Sequence, residues 1–168
     1  MVVAGIQPAE ENCGLESGFS GGSLGSPVNS KKTAERAGDV NARLHTLTII
    51  IPAYNEEQGI GAVLDGVLAL AEAKDWAVLV VDDGSTDGTA RVAGAFPGVR
   101  CLSQPNQGHG AAKNAGASAA CGEFLAFLDA DDLWLPDKLQ RQVAHALLHE
   151  DTGLVLCYEL QFLQAGLE

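Results

Sequence analysis

Apolar and polar positions change period several times along the chain, and each change predicts an element. LTIII (47–51) is an unbroken, mostly β-branched run, the pattern of a strand buried on both faces. From about Glu56 to Ala73, residues Ile60, Val63, Leu64, Val67 and Leu68 recur at i, i+3, i+4, i+7, i+8, which predicts a helix with one apolar stripe. Glu56 and Glu57 fall in its expected first turn, where acids complement the helix dipole. AVLVV (77–81) predicts a second strand, followed by a short helix from about Gly88 to Ala95 with Asp87 as its N-cap. VRCLS (99–103) is a third strand, and the alanine-rich stretch from His109 to Ala120 is a helix able to lie close on a sheet. EFLAFL (123–128) is a fourth strand, Pro136 opens a helix that runs to about His149, and LVLCYELQFL (154–163) is the last strand.

Strands alternating with helices predict an α/β fold, a Rossmann-like, mostly parallel sheet flanked by helices. Ligands of such sheets bind beyond the carboxyl ends of the strands, near a topological switch point. PAYNEE, DDGSTDG and DADD each follow a strand on that edge, so three loops are expected to converge there. Residues 1–42 carry no sustained period and hold seven glycines, five serines and one aromatic residue, Phe19. They are expected to form a flexible leader, with residues 43–168 forming the α/β domain.

Composition narrows the function. The 168 residues are 46% hydrophobic, enough for a core, and the length favours one domain. A net charge of −12 lacks the basic footprint of a nucleic-acid binder. Most of these acids read as a solvated surface. That reading fits less well for Glu56, Glu57, Asp82, Asp83, Asp87, Asp129, Asp131 and Asp132, which gather at three strand ends. Cys13, Cys101, Cys121 and Cys157 are widely spaced without a CxxC pair, and they suit a reducing, cytoplasmic setting better than a disulfide framework. The first residues lack a basic n-region, and no run approaches the length of a membrane span.

Crowded carboxylates at buried strand ends repel one another and lose hydration, and a cation among them relieves both costs. In DADD, a D-x-D after a strand suits Mg²⁺ or Mn²⁺; the alternative is a turn in which Asp132 helps to cap the next segment. In DDGSTDG, Gly84 and Gly88 permit a tight turn and Asp83 is an acceptor for a base or ribose; the alternative is an ordinary strand-to-helix turn. NQGHGAAKNAG (106–116) matches neither the P-loop nor the dinucleotide fingerprint. Its Lys113 is either close to a phosphate or a solvated helix lysine. His145 and His149 have metal spacing but share a polar face with Lys138 and Arg141, opposite Leu139, Val143 and Leu147, which favours a surface role. His45 and His109 have no partner visible from spacing.

Taken together, IIIPAYNEE, VVDDGSTDGT, NQGHGAAKNAG and FLDADDLWLPDKL, in this order and spacing, resemble the family 2 glycosyltransferases of GT-A fold, over about residues 46–145. The resemblance implies a transferase that uses a nucleotide-diphosphate sugar with Mg²⁺ or Mn²⁺ and inverts the anomeric carbon. It puts Pro52, Ala53, Tyr54 and Glu56 around the nucleotide, Asp83 on the base with Asp82 beside it, and Asp129 near ribose and metal. Asp131 would ligate the metal that bridges the diphosphate, with Ala130 between the two acids. Lys113 stands where many members have arginine.

The resemblance also implies a general base well beyond the D-x-D. Glu150, Asp151 and Glu159 match no such motif, so the base is expected beyond residue 168 and the chain is expected to be an incomplete GT-A domain, its donor-binding half. A UDP-sugar is the favoured donor and GDP-mannose the second candidate; the acceptor is not specified. The expected setting is cytoplasmic, including the cytoplasmic face of a membrane. Two rivals stand beside this reading: a non-catalytic nucleotide-sugar-binding fragment, and a phosphatase of the haloacid dehalogenase type with Asp129 as nucleophile and Asp131 as acid/base. The second leaves three of the four motifs unexplained.

Overall fold

The computed structural model describes residues 2–4, 47–74, 76–149 and 151–158. In chain order these hold β1 (Val2–Ala4), β2 (Leu47–Ala53), α1 (Ile60–Glu72), β3 (Ala77–Asp82), α2 (Thr89–Gly94), β4 (Val99–Ser103), α3 (His109–Ala119), β5 (Phe124–Phe127), α4 (Lys138–Leu148) and β6 (Leu154–Val155). The strands form one sheet in the order β4-β3-β2-β5-β1-β6. The pairs β2–β3, β3–β4 and β2–β5 are parallel, while β1 runs antiparallel to both β5 and β6.

All seven residues of β2 are buried, as its apolar run predicts for a central strand covered on both sides. Alternate residues serve opposite faces. Ile49, Ile51, Val78, Val80 and Ala126 join a core with Ile60, Leu64 and Val67 of α1, Ala93 of α2, and Leu139 and Val143 of α4. Ile50, Leu79, Val81 and Leu125 face the other way, against Ala112 of α3. The small residues of α3 have a steric reason. A Cβ added to Gly116 would lie 2.4 Å from Ile50 Cγ2 and 3.2 Å from Val81 Cγ2, so only glycine lets the helix rest directly on β2 and β3. Burial of a side chain such as Ile50 contributes about 1.5–3 kcal/mol, so the close seating is energetically substantial.

The chain lays down β2, β3 and β4 outward in one direction, and α3 then returns it to the other side of β2, where β5 pairs. The direction of winding therefore reverses between β2 and β5. The carboxyl ends of these strands carry PAYNEE and DADD, so the geometric condition for a ligand crevice is met where the sequence expects it.

Several boundaries differ from expectation. α1 starts at Ile60, not Glu56, and its first turn has no acid. Asn55 takes φ +58°, and the Glu56 carbonyl accepts the N–H groups of Gly59 (3.1 Å) and Ile60 (2.9 Å), so a separate turn precedes the helix. α4 begins at Lys138 because Asp137, at φ −97° and ψ −2°, sits in the bridge region that closes a turn after Pro136. β6 is two residues long; among the described residues it pairs with the three-residue β1, which offers Val2 to Val155 and Val3 to Leu154. Leu156, Cys157 and Tyr158 are exposed beyond it, and residues 159–163 of the expected strand lie outside the described residues.

Val2–Ala4 form a strand where a featureless leader was expected; residues 5–42 lie outside the described residues. Cys101 and Cys157 are free, but Cys121 is disulfide-bonded, against the expectation for the cysteines as a set. No helix among the described residues is long and apolar enough to cross a membrane.

Candidate active site at the strand reversal

Loop 54–59 after β2 and loop 83–88 after β3 are stitched together. The Asn55 N–H donates to the Ser85 hydroxyl at 2.9 Å, and Asn55 Oδ1 accepts the Thr86 N–H at 2.8 Å. The Glu56 N–H donates to Thr89 Oγ1 at 2.8 Å, and the Glu57 N–H donates to Asp87 Oδ2 at 3.2 Å. Glu57 returns the contact, accepting the Gly88 N–H at 3.0 Å on Oε2 and meeting Arg91 Nη2 at 2.8 Å with Oε1. Asp87 Oδ1 also accepts the N–H of Thr89, the first residue of α2, and the Thr89 hydroxyl donates to it as well. Donation by Thr89 is the main reason the Asp87 carboxyl lies below its ordinary value; burial opposes it and the backbone N–H groups of Thr89 and Glu57 assist.

Asp83 ties loop 83–88 to loop 104–108. It is 3% exposed, and its Oδ1 accepts Gln104 Nε2 at 2.7 Å and the Gln107 N–H at 3.0 Å, while Oδ2 accepts the Gly108 N–H at 2.8 Å. Burial alone would raise its pKa. These three bonds, with the nearby His109, outweigh burial and hold the carboxyl below its ordinary value. Gly84, at φ +73°, allows the close approach of the two loops: a Cβ there would stand 2.6 Å from the Asn106 nitrogen. Asp82 is also buried and turns inward, accepting the Ser85 N–H at 3.2 Å.

Pro52, Ala53, Tyr54, Asp83, Asn106, Gly108, His109 and Ala112 line a cleft of about 180 Å³. Four of these were expected from sequence. Asn106, Gly108 and His109 were not assigned roles, because the glycine-rich stretch matched no phosphate-binding pattern and the partners of His109 are remote in sequence. His109 also reaches a second cluster. Asp129 Oδ1 is 3.0 Å from Lys113 Nζ and 3.3 Å from His109 Nε2. That oxygen is buried and lies close to both side chains, yet it accepts no hydrogen bond. Asp131 is exposed, and Ala130 between them is buried. Glu56 is drawn into this cluster: burial first, then the charges of Asp131 and Asp87, raise its carboxyl above its ordinary value.

A buried carboxylate oxygen without a hydrogen bond, two residues from an exposed carboxylate, fits a hard divalent cation such as Mg²⁺ or Mn²⁺. Among the described residues no three His, Cys, Asp or Glu side chains gather closely enough to hold a metal without other ligands. The donor set is thus partial, the kind that phosphate oxygens and water complete. His145 and His149 lie with ring centroids 4.4 Å apart and planes tilted by 42°, both exposed at the C-terminal end of α4.

The family model described as glycosyl transferase family 2 matches residues 48–162, through all four motifs. The chain belongs to glycosyl transferase family 2. An uncharacterized glycosyltransferase of Nostoc sp. (strain PCC 7120) is 43% identical over 102 residues, which cover 58% of this chain and 31% of that protein. Among solved structures, the mannosyltransferase PcManGT from Pyrobaculum calidifontis, in complex with GDP-Man and Mn²⁺, is 32% identical with a TM-score of 0.54, covering 60% of this chain and 32% of that one. Glucosyl-3-phosphoglycerate synthase from Mycobacterium tuberculosis, in complex with Mn²⁺, UDP-glucose and phosphoglyceric acid, is 31% identical with a TM-score of 0.53, covering 62% and 40%. This family 2 chain shares their mostly parallel, helix-flanked sheet. It spans less than half the length of the curated relatives it matches.

Proposed function

We propose that this chain is the donor-binding portion of an inverting, metal-dependent glycosyltransferase. One observation carries the reading: His109 lines the cleft and also reaches the Asp129 carboxylate, which Lys113 meets as well, at the reversal between β2 and β5. In this reading Pro52, Ala53, Tyr54 and Asp83 receive the nucleoside. Asp129 and Asp131 hold Mg²⁺ or Mn²⁺, with Ala130 spacing them, and Glu56 closes the acidic side. Asp82 supports the nucleoside loop from beneath through Ser85. When bound, the cation neutralises charge that develops on the departing nucleotide diphosphate.

Asp83 supports a uridine donor. Each carboxylate oxygen has two lone pairs. Oδ1 accepts two bonds and Oδ2 one, so a single acceptor direction remains. That suffices for the one imide N–H of uracil and falls short of the two adjacent N–H donors on guanine. The relatives named above hold UDP-glucose in one case and GDP-Man in another, so this local count is what favours UDP-sugar over GDP-mannose.

The test is calorimetric titration of the chain with UDP, with and without Mn²⁺. Binding is expected to require Mn²⁺ and to be greatly weakened by Asp131→Ala. Metal-independent binding, indifferent to that substitution, would overturn the assignment.

A further inference from the structure

Asp129 Oδ1 has no hydrogen bond, yet it is not without counter-charge. The Lys113 ammonium stands 3.0 Å away with its side chain 27% exposed, and His109 Nε2 stands 3.3 Å away on the cleft side. Lys113 lies one helical turn along α3 from His109, so the two reach the carboxylate from the same face of that helix. His109 also contributes to the field at Asp83, which puts it between the nucleoside cleft and the carboxylate cluster. A divalent cation on Asp129 must occupy the space and the charge that Lys113 now supplies. Two cations cannot share one buried oxygen at about 2–3 Å without strong repulsion.

We infer that Lys113 is the resident counter-ion of Asp129, with His109 packed beside it, and that loading the site is an exchange. The divalent cation takes Asp129, and the displaced ammonium passes to the phosphates of the donor, which arrive beside it. This rests on the assignment of Asp129 as a metal ligand made above. The exchange has a thermodynamic signature. Metal alone must evict Lys113 with nothing to receive it, so it binds weakly. Nucleotide diphosphate supplies a new partner for the ammonium, so each ligand strengthens the other by the same factor. It also gives Lys113 a function in both states, whereas a lysine that only binds phosphate would be solvated before the donor arrives.

Lys113→Met separates these possibilities because it keeps the length of the side chain and removes the charge. Binding of Mn²⁺ alone is measured by electron paramagnetic resonance of the free ion, and binding of UDP at saturating Mn²⁺ by calorimetry. The variant is expected to bind Mn²⁺ alone about tenfold more tightly and UDP about tenfold more weakly, a coupling loss within the usual range for linked sites. His109→Gln is expected to move both in the same directions by less. A damaged fold would weaken both ligands together, so opposite movement is a readout that structural disruption does not give. If Lys113→Met fails to fold, as judged by circular dichroism, Lys113→Gln takes its place in the same test.

Unchanged or weaker binding of Mn²⁺ alone by the folded variant would overturn the exchange, while Mn²⁺-dependent UDP binding by the wild type left the donor-site reading intact. Absence of Mn²⁺-dependent UDP binding in the wild type would instead remove that reading, and the exchange with it.

Discussion

Asp83 Oδ2 accepts the N–H of Gly108 at 2.8 Å across 25 residues of sequence, while Oδ1 holds Gln104 and Gln107. One carboxylate therefore shapes loop 104–108 and forms part of the cleft that the loop borders. Asp83→Asn turns one acceptor into a donor facing another donor, in a buried position. Loss of a buried partner costs roughly 1–3 kcal/mol, which urea unfolding would register. The pH dependence has a definite sign. The folded carboxyl lies below the ordinary value of 3.8, so its contribution is complete above that value and is lost as pH falls through the lower, folded one. The stability gap between wild type and Asp83→Asn is expected to be full near neutral pH and to narrow in acid below about 3.8. A gap that stayed constant into that range would mean that the ionised form is not what stabilises the loop.

The single acceptor direction left on Asp83 gives an expectation for the base. With Mn²⁺ present, UDP should bind at least about tenfold more tightly than GDP, a difference of about 1.4 kcal/mol. Competition between the two nucleotides for the chain measures it. Equal affinity, or preference for GDP, would refute the lone-pair count.

Asn55 is the one described non-glycine residue with positive φ, at 58°. Its side-chain oxygen accepts from Thr86, which steadies a conformation that most residues avoid. Asn55→Gly should lose that bond, at about 1 kcal/mol. Asn55→Ala should lose the bond and also incur the left-handed backbone penalty, a further 1–2 kcal/mol or so. Chemical denaturation of both variants compares them; an alanine variant as stable as the glycine one would show that backbone strain is unimportant here.

Gly116→Ala tests the seating of α3. The added methyl meets Ile50 Cγ2, and overpacking of this kind costs typically about 1–3 kcal/mol. Ile50→Ala removes the opposing group, so the double variant should lose less stability than the sum of the two single losses. Simple additivity in thermal melts would mean that the contact is relieved elsewhere.

The strands of this protein were legible because burial on both faces leaves nearly unbroken apolar runs at 47–51, 78–81 and 124–128. The convergence of loops at one sheet edge was legible too, since PAYNEE and DADD follow strands that turn out to flank the reversal of winding. Loop geometry was not. Apolar periodicity could not reveal that Asn55 would enter a left-handed conformation and delay α1 to Ile60. The partners of Asp83 lie 21 to 25 residues away, and His109 meets Asp129 only because α3 crosses the sheet, so no local spacing encodes either contact. Over its described residues β6 is shorter than its apolar stretch at 154–158 suggested, because pairing with β1 reaches only Leu154 and Val155.

The bare contact of Gly116 with Ile50 also decides how quickly the neighbourhood of Asp129 can rearrange. A helix fixed that closely to the sheet cannot slide to carry Lys113 and His109 away, so any such movement belongs to side-chain rotation. Rotamer changes of partly exposed groups take picoseconds to nanoseconds, against microseconds to milliseconds for helix shifts. Under the proposed exchange, encounter with the cation and the nucleotide, and not motion of the polypeptide, sets the pace at which the site fills.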